Sequence, residues 1–227
     1  MNDIFSSDLV KEFTKNKIGL AGIGILLALV MISLIAVVTV PIDTFKQWNN
    51  PSNWISYPKT SMPIWVNYFV DEKMPEHVII ENPATISKEG EISVISHQFE
   101  IEFLSDDFPN GFIYEFTAEY SGSPLLQIHV IRPDQAKILL LSTSLPNSDT
   151  KIVHSERIFS TDETIGKNIQ MQSTEMGFYK EGIPNEDLIF ADNKEKILKG
   201  NYLFLVNLYD VNEHMEIINS KLILGGK

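Results

Sequence analysis

The sequence predicts a mainly β protein: a single N-terminal transmembrane α-helix followed by an extracytoplasmic antiparallel β-sandwich-like domain. Three observations carry that expectation. Ile18 to Val40 is one apolar run without a charge. From about residue 77 apolar and polar residues alternate with period two, in short segments bounded by Gly, Pro, Asn or Asp. Lysines flank the apolar run on its N-terminal side, at Lys11, Lys15 and Lys17. Alternation marks half-buried strands, and many short strands with little helix signal between them mark a sandwich.

The apolar run, IGLAGIGILLALVMISLIAVVTV, carries hydroxyls at Ser33 and Thr39 alone. A helix of this length spans roughly 34 Å, enough to cross a hydrocarbon core of about 30 Å. Lipid offers no hydrogen bonds to backbone groups, so a lone span must be a helix. A core helix of this length without a charge is unusual. A cleaved signal peptide would have a shorter apolar region and a small-residue cleavage site, and Val37-Val38-Thr39-Val40-Pro41 is a poor one. Gly19, Gly22, Gly24 and Ala28 are the helix-packing candidates, because small residues let a second helix approach closely.

Residues 1–17 read as a cytoplasmic amphipathic stretch. Phe5, Leu9, Val10 and Phe13 fall near helical spacing, with Ser7 or Asp8 as an N-cap. A short disordered tail fits the same residues. Between Pro41 and Pro58 Lys46 is the one basic residue, so the cation excess places the N-terminus inside and the large domain outside. Residues 41–76 form a Pro/Trp-rich juxtamembrane segment that holds all three tryptophans, Trp48, Trp54 and Trp65. Trp and Tyr favour the membrane–water interface. The segment either skirts the outer membrane surface or packs its aromatics under the next domain.

Residues 77–227 form the β-domain. Phe99, Ile101 and Phe103 alternate with Gln98, Glu100 and Glu102, and Phe112, Tyr114, Phe116 and Ala118 alternate with Ile113, Glu115, Thr117 and Glu119. Asp106 to Gly111 supplies turn chemistry between them. Further strands are predicted at Leu125–Ile131, Ala136–Thr143, Asn168–Ser173, Tyr202–Tyr209 and Met215–Leu224, with a short helix or turn at Ala191–Lys199. Asn212-Glu213-His214 sits at the bend of the last hairpin.

The net charge is −12, all of it after the apolar run, which disfavours nucleic acid as a partner. With no cysteine there is no Cys zinc site, redox CxxC pair or thiol nucleophile. His77, His97, His129, His154 and His214 lie too far apart for HExxH or HxH spacing. Nucleophile-elbow and phosphate-loop motifs are absent. Asp106-Asp107, Asp162-Glu163 and Glu186-Asp187 could offer oxygens to calcium but read more simply as solvated turn charges. Nothing implies a cofactor, and no catalytic or metal-binding residue stands out, so the chain reads as a non-enzyme.

One resemblance goes further. Lys15-Asn16-Lys17 followed by the apolar run resembles the start of C-type permease subunits of dipeptide/oligopeptide ABC transporters. Trp48-Asn49-Asn50-Pro51-Ser52-Asn53-Trp54 and Pro63-Ile64-Trp65-Val66-Asn67-Tyr68-Phe69 resemble pieces of the segment that follows the first helix in that family. Archaeal members carry a large extracytoplasmic insert after that helix. Asp107-Phe108-Pro109, Ile131-Arg132-Pro133-Asp134 and the stretch Ser220 to Lys227 resemble parts of it. The family goes on to a G-T-D-x-x-G-R-D motif and five more membrane helices, which these 227 residues do not contain. The resemblance implies a membrane-anchored, transport-associated component without the translocation core. Its implied partners are the lipid bilayer, other permease subunits, ATPase subunits and a substrate-binding protein. The alternative is a membrane-anchored extracytoplasmic binding or surface protein unrelated to transport.

Overall fold

In the computed structural model, residues 16–55, 57, 61–81, 83–88, 92–192, 196–210 and 215–227 are described. The chain divides into two compact units, one through residue 53 and one from Trp54 to Lys227. The amphipathic stretch expected before the span lies outside the described residues, apart from Asn16 and Lys17.

In the first unit, helix α1 runs Lys17–Thr39. Asn16 caps it, its side-chain oxygen accepting from the Ile18 and Gly19 N–H groups at 3.1 and 3.3 Å. Pro41 lacks an N–H and follows directly, after Val40 has donated back to the Ala36 carbonyl at 2.9 Å. No residue of α1 is buried, and its apolar character runs all round. That is the profile of a helix whose surroundings are lipid. Two short helices follow, α2 at Ile42–Gln47 and α3 at Pro51–Trp54, so this part of the juxtamembrane segment is less irregular than its prolines imply. Each begins at or just after a proline, where the missing N–H costs a helix nothing.

The second unit is an antiparallel sandwich of two sheets. One holds β1 (Val78–Glu81), β9 (Glu216–Leu224), β4 (Phe112–Gly122) and β7 (Ser148–Phe159), in that order across the sheet. The other holds β2 (Ala84–Lys88), β3 (Ser93–Phe103), β8 (Gly200–Asp210), β5 (Leu125–Ile131) and β6 (Lys137–Ser144). Alternation decides which side chains meet. Phe99, Ile101 and Phe103 of β3 face Tyr114, Phe116 and Ala118 of β4 across a dry core. Phe99 and Tyr114 meet edge to face with centroids 5.9 Å apart.

The structure corrects the expected strand at Asn168–Ser173. That stretch lies within helix α4, Glu163–Glu175, begun by Asp162 and buried through Ile165, Ile169 and Ser173. The four-residue recurrence of those positions is the helical period, which Asn, Gln and Ser around them mask. At Ala191–Lys199 no helix forms among the described residues: Ala191 pairs with Ile197 as an isolated bridge, and the preceding Asp187–Phe190 makes one turn of 3-10 helix. Strands β1, β2 and β7 were not expected. Each lies at a sheet edge, where side chains on both faces reach solvent and alternation fades. The bend at 212–214 lies outside the described residues.

The second unit begins at Trp54, ahead of the first strand. Within it Asn67 bonds through both atoms of its amide to the Met74 backbone, at 2.9 and 3.0 Å. Lys73 and Asp106 exchange backbone and side-chain bonds.

Candidate functional site

The chain leaves one sheet and joins the other between β1 and β2. Strand β1 ends at Glu81 opposite Lys221, so among the described residues the lower half of β9, from Glu216 to Ser220, is paired on its β4 side alone. Strand β2 then runs beside β3 in the other sheet. A slot of about 370 Å³ opens between them, walled by Thr85 and Ser87 of β2, His97 of β3, and Glu216, Asn219 and Ser220 of β9.

His97 occupies an inward position in the row of Phe99, Ile101 and Phe103, and it is 6% exposed. Its Nδ1 has no hydrogen-bond partner among the described residues. Burial pushes its pKa below the usual histidine value, so the ring is neutral at pH 7. Ser220 Oγ and the Tyr114 hydroxyl share a hydrogen bond of 3.0 Å, and burial pushes the Tyr114 pKa well up. Between Thr117 and Ala118 of β4 the register with β9 shifts, which leaves Ile218 bulged out and exposed at the rim. The slot therefore offers hydroxyl, amide and imidazole groups beside the Glu216 carboxylate and the apolar Pro83, Ile95, Ile217 and Ile218. Such groups exchange hydrogen bonds with a neutral polar guest. No hydrogen bond joins His97 to a hydroxyl or carboxylate among the described residues.

Two other polar clusters satisfy themselves. On the outer face of the first sheet Glu81, Lys221, Glu115 and Arg157 lie in one row across four strands. Glu115 receives Lys221 Nζ at 2.8 Å and Arg157 Nε at 2.6 Å, one on each oxygen. Arg132, from the Ile131-Arg132-Pro133-Asp134 motif, is 1% exposed. It donates to the Leu188 and Ala191 carbonyls at 3.0 and 2.7 Å, pairs with Asp134 and stacks 4.0 Å over the Phe178 ring. That motif fastens the 178–191 loop to the sandwich. Among the described residues no group of three or more His, Asp or Glu could hold a metal ion. Asp106 pairs with Lys199, Asp107 with Lys227, and Glu163 with Lys167.

At the far end of the sandwich the incoming and outgoing chains run together. The Met62 N–H donates to the Lys227 carbonyl at 2.8 Å, and Lys227 N–H to the Pro75 carbonyl at 3.2 Å. Gly226 sits in this seam: a Cβ there would lie 2.5 Å from Ser61 Oγ and 2.7 Å from the His77 nitrogen. Asp107 of the Asp107-Phe108-Pro109 turn clamps the Lys227 ammonium with both oxygens, at 3.0 and 3.1 Å. Nearby, burial and then the charge of Glu186 push the Asp187 pKa up to about 6.

The residues singled out from sequence are placed as follows. Gly22, Gly24 and Ala28 are exposed on α1, Gly19 is half-exposed, and a Cβ on Gly22 or Gly24 would meet nothing within 4 Å. At about 100° per residue, Gly19 and Gly22 lie on one side of the helix and Gly24 and Ala28 on another. Trp48, Trp54 and Trp65 are all exposed. Trp54 meets Tyr57 and Trp65 meets Phe69, both edge to face. None of these is near the slot's walls in sequence or among its lining residues. From the sequence His97 is one of five histidines too widely spaced for HExxH or HxH. The signal was its parity: it stands two residues before Phe99, in the inward row.

No protein-family model matches the chain, and no curated protein matches it. Solved structures give faint likenesses. A structure of the infectious bursal disease virus Gx strain is 9% identical over 67% of this chain and 34% of that one, with a TM-score of 0.31. A serine protease of Aeromonas sobria is 11% identical over 66% and 27%, with a TM-score of 0.27. A promiscuous carbohydrate-binding module of the β-sandwich superfamily is 6% identical over 76% and 63%, with a TM-score of 0.27. The chain spans less than two thirds of each of these proteins, and scores so low carry no argument about activity. The chain is a membrane-anchored protein whose outer part is a β-sandwich.

Proposed function

We propose that this protein is an anchored binding module whose sandwich faces the extracytoplasmic side and takes an extended peptide backbone into the slot between β2 and β9. The buried His97 at the slot carries this reading. A buried polar ring beside Phe99, Ile101 and Phe103 costs stability unless something is gained from it. The open side of β9 offers backbone groups for an added strand, and Thr85, Ser87 and Asn219 offer side-chain bonds beside it. The module acts by holding its guest, without chemistry on it. The lysines before α1 support a cytoplasmic N-terminus. Titrating short uncharged peptides against isotope-labelled full-length protein in nanodiscs tests the reading. Shifts confined to the His97 ring and residues 216–220, lost in His97→Leu, are the expected outcome. Peptides that leave those signals in place overturn it.

A second reading, kinship with the front of a peptide ABC transporter permease, has its own supporting observation. A domain inserted between two membrane helices must bring its two ends back to one place, and Met62 and Lys227 are hydrogen-bonded. Mild solubilisation of the tagged chain from its native membrane tests it. Recovery of permease and ATPase subunits favours it; their absence from a well-expressed sample counts against it.

A further inference from the structure

Residues 62–70 form an exposed apolar platform on a rigid mount. The 3-10 turn Ile64–Tyr68 presents Ile64, Trp65 and Tyr68, and Phe69 follows directly. They are 54, 61, 82 and 81% exposed. The turn itself is held. Val66 and Phe69 N–H groups bond to the Pro63 and Val66 carbonyls at 2.9 Å. Asn67, on the turn's inner side, is bonded twice to Met74, and Met62 is bonded to Lys227. The rings are thus displayed by a fixed backbone, and they do not pack beneath the sandwich. An aromatic patch of this size on a soluble surface marks a contact site.

We propose that this platform rests in the headgroup zone of the bilayer, as a second membrane contact beyond α1. Three features choose lipid over a protein partner. Trp and Tyr with Phe and Ile is the mixture whose apolar bodies and polar tips match the interface. The same chain carries a span that ends at Thr39, which holds the platform's unit to a membrane at high local concentration. Flanking charges are mixed, with Asp71, Glu72 and Lys73 together, so the attraction is apolar and suits zwitterionic lipid. This inference does not rest on the slot.

The chain has no cysteine, so Tyr68→Cys offers a unique site for a nitroxide label. The full chain is placed in phosphatidylcholine vesicles and relaxation by dissolved oxygen is compared with relaxation by a water-soluble nickel chelate. Oxygen should dominate several-fold at Tyr68→Cys, unchanged by added salt, while the chelate should dominate at Val153→Cys on β7. Chelate-dominated relaxation at Tyr68→Cys would overturn the proposal. So would protection from both agents, which is the mark of a protein partner or a second copy. Phe69→Cys gives the same reading should Tyr68→Cys fold poorly.

Discussion

The side-chain amide of Gln172 closes a two-bond ring with the backbone of Leu139. It accepts the Leu139 N–H at 2.8 Å and donates to the Leu139 carbonyl at 2.8 Å. Gln172 thereby imitates one residue of a neighbouring strand along β6, which is the edge of its sheet. Asn168 adds a bond to the Leu140 carbonyl at 3.0 Å. An uncovered edge of hydrogen-bonding groups is a template for aggregation, and α4 covers this one with side chains. Gln172→Leu should cost about 1 kcal/mol by leaving half-buried backbone groups unpaired, and should raise aggregation on heating. Urea melts and light scattering of the variant check both.

Phe116 lies 4% exposed in the core, stacked on Tyr114 with centroids 5.5 Å apart. Phe116→Asp puts an unpaired carboxylate there, at a cost of several kcal/mol. Loss of cooperative thermal unfolding is expected. A variant that melts cooperatively near the parent temperature would mean the position tolerates water.

Asp187 and His97 set opposite pH slopes. Asp187 holds its proton more tightly folded than unfolded, with a pKa of about 6 against 3.8, so stability falls as pH rises through that window. Asp187→Asn should stabilise at pH 7 by about 1 kcal/mol, allowing for solvent screening, and do nothing at pH 3.5. His97 holds its proton less tightly folded than unfolded. Its contribution is present above the unfolded histidine value of 6.5 and is lost as pH falls through it. His97→Leu should flatten the loss of stability below pH 6.5. Denaturant midpoints of both variants across pH 3.5–8 separate the two effects.

Gly226→Ala forces a Cβ against Ser61 and the His77 backbone. A cost of about 1–3 kcal/mol is expected, concentrated where the chain enters and leaves the sandwich. Faster hydrogen exchange at Met62 and Lys227, with β5 and β8 unchanged, would locate it there.

The fold was legible where physics writes a strong period. Strands β3, β4, β5, β6, β8 and β9 each bury one face, and their alternation survives in the letters. Strand β2 buries nothing, so Ala84–Lys88 left no trace. Helix α4 buries Ile165 and Ile169 but owes its place to Gln172 and Asn168, whose amides look like loop composition. The slot was hidden for another reason. Its walls come from β2, β3 and β9, which only the crossover between sheets brings together. In sequence His97 looked isolated because its neighbours on β9, Glu216 to Ser220, are more than a hundred residues away and Thr85, its partner on β2, belongs to a strand that left no trace.

Val78 pairs with Leu224, so the first and last strands of the sandwich are neighbours. A chain is delivered from its N-terminus, whether by ribosome or translocon. Strand β1 therefore emerges first and waits for its partner until the end of the domain has arrived. During that interval Val78 and Ile80 stand as an orphan apolar edge beside a membrane. Folding of this protein is consequently a timing problem: a pause in synthesis after β8 leaves the first sheet split, with β1 separated from β4 and β7.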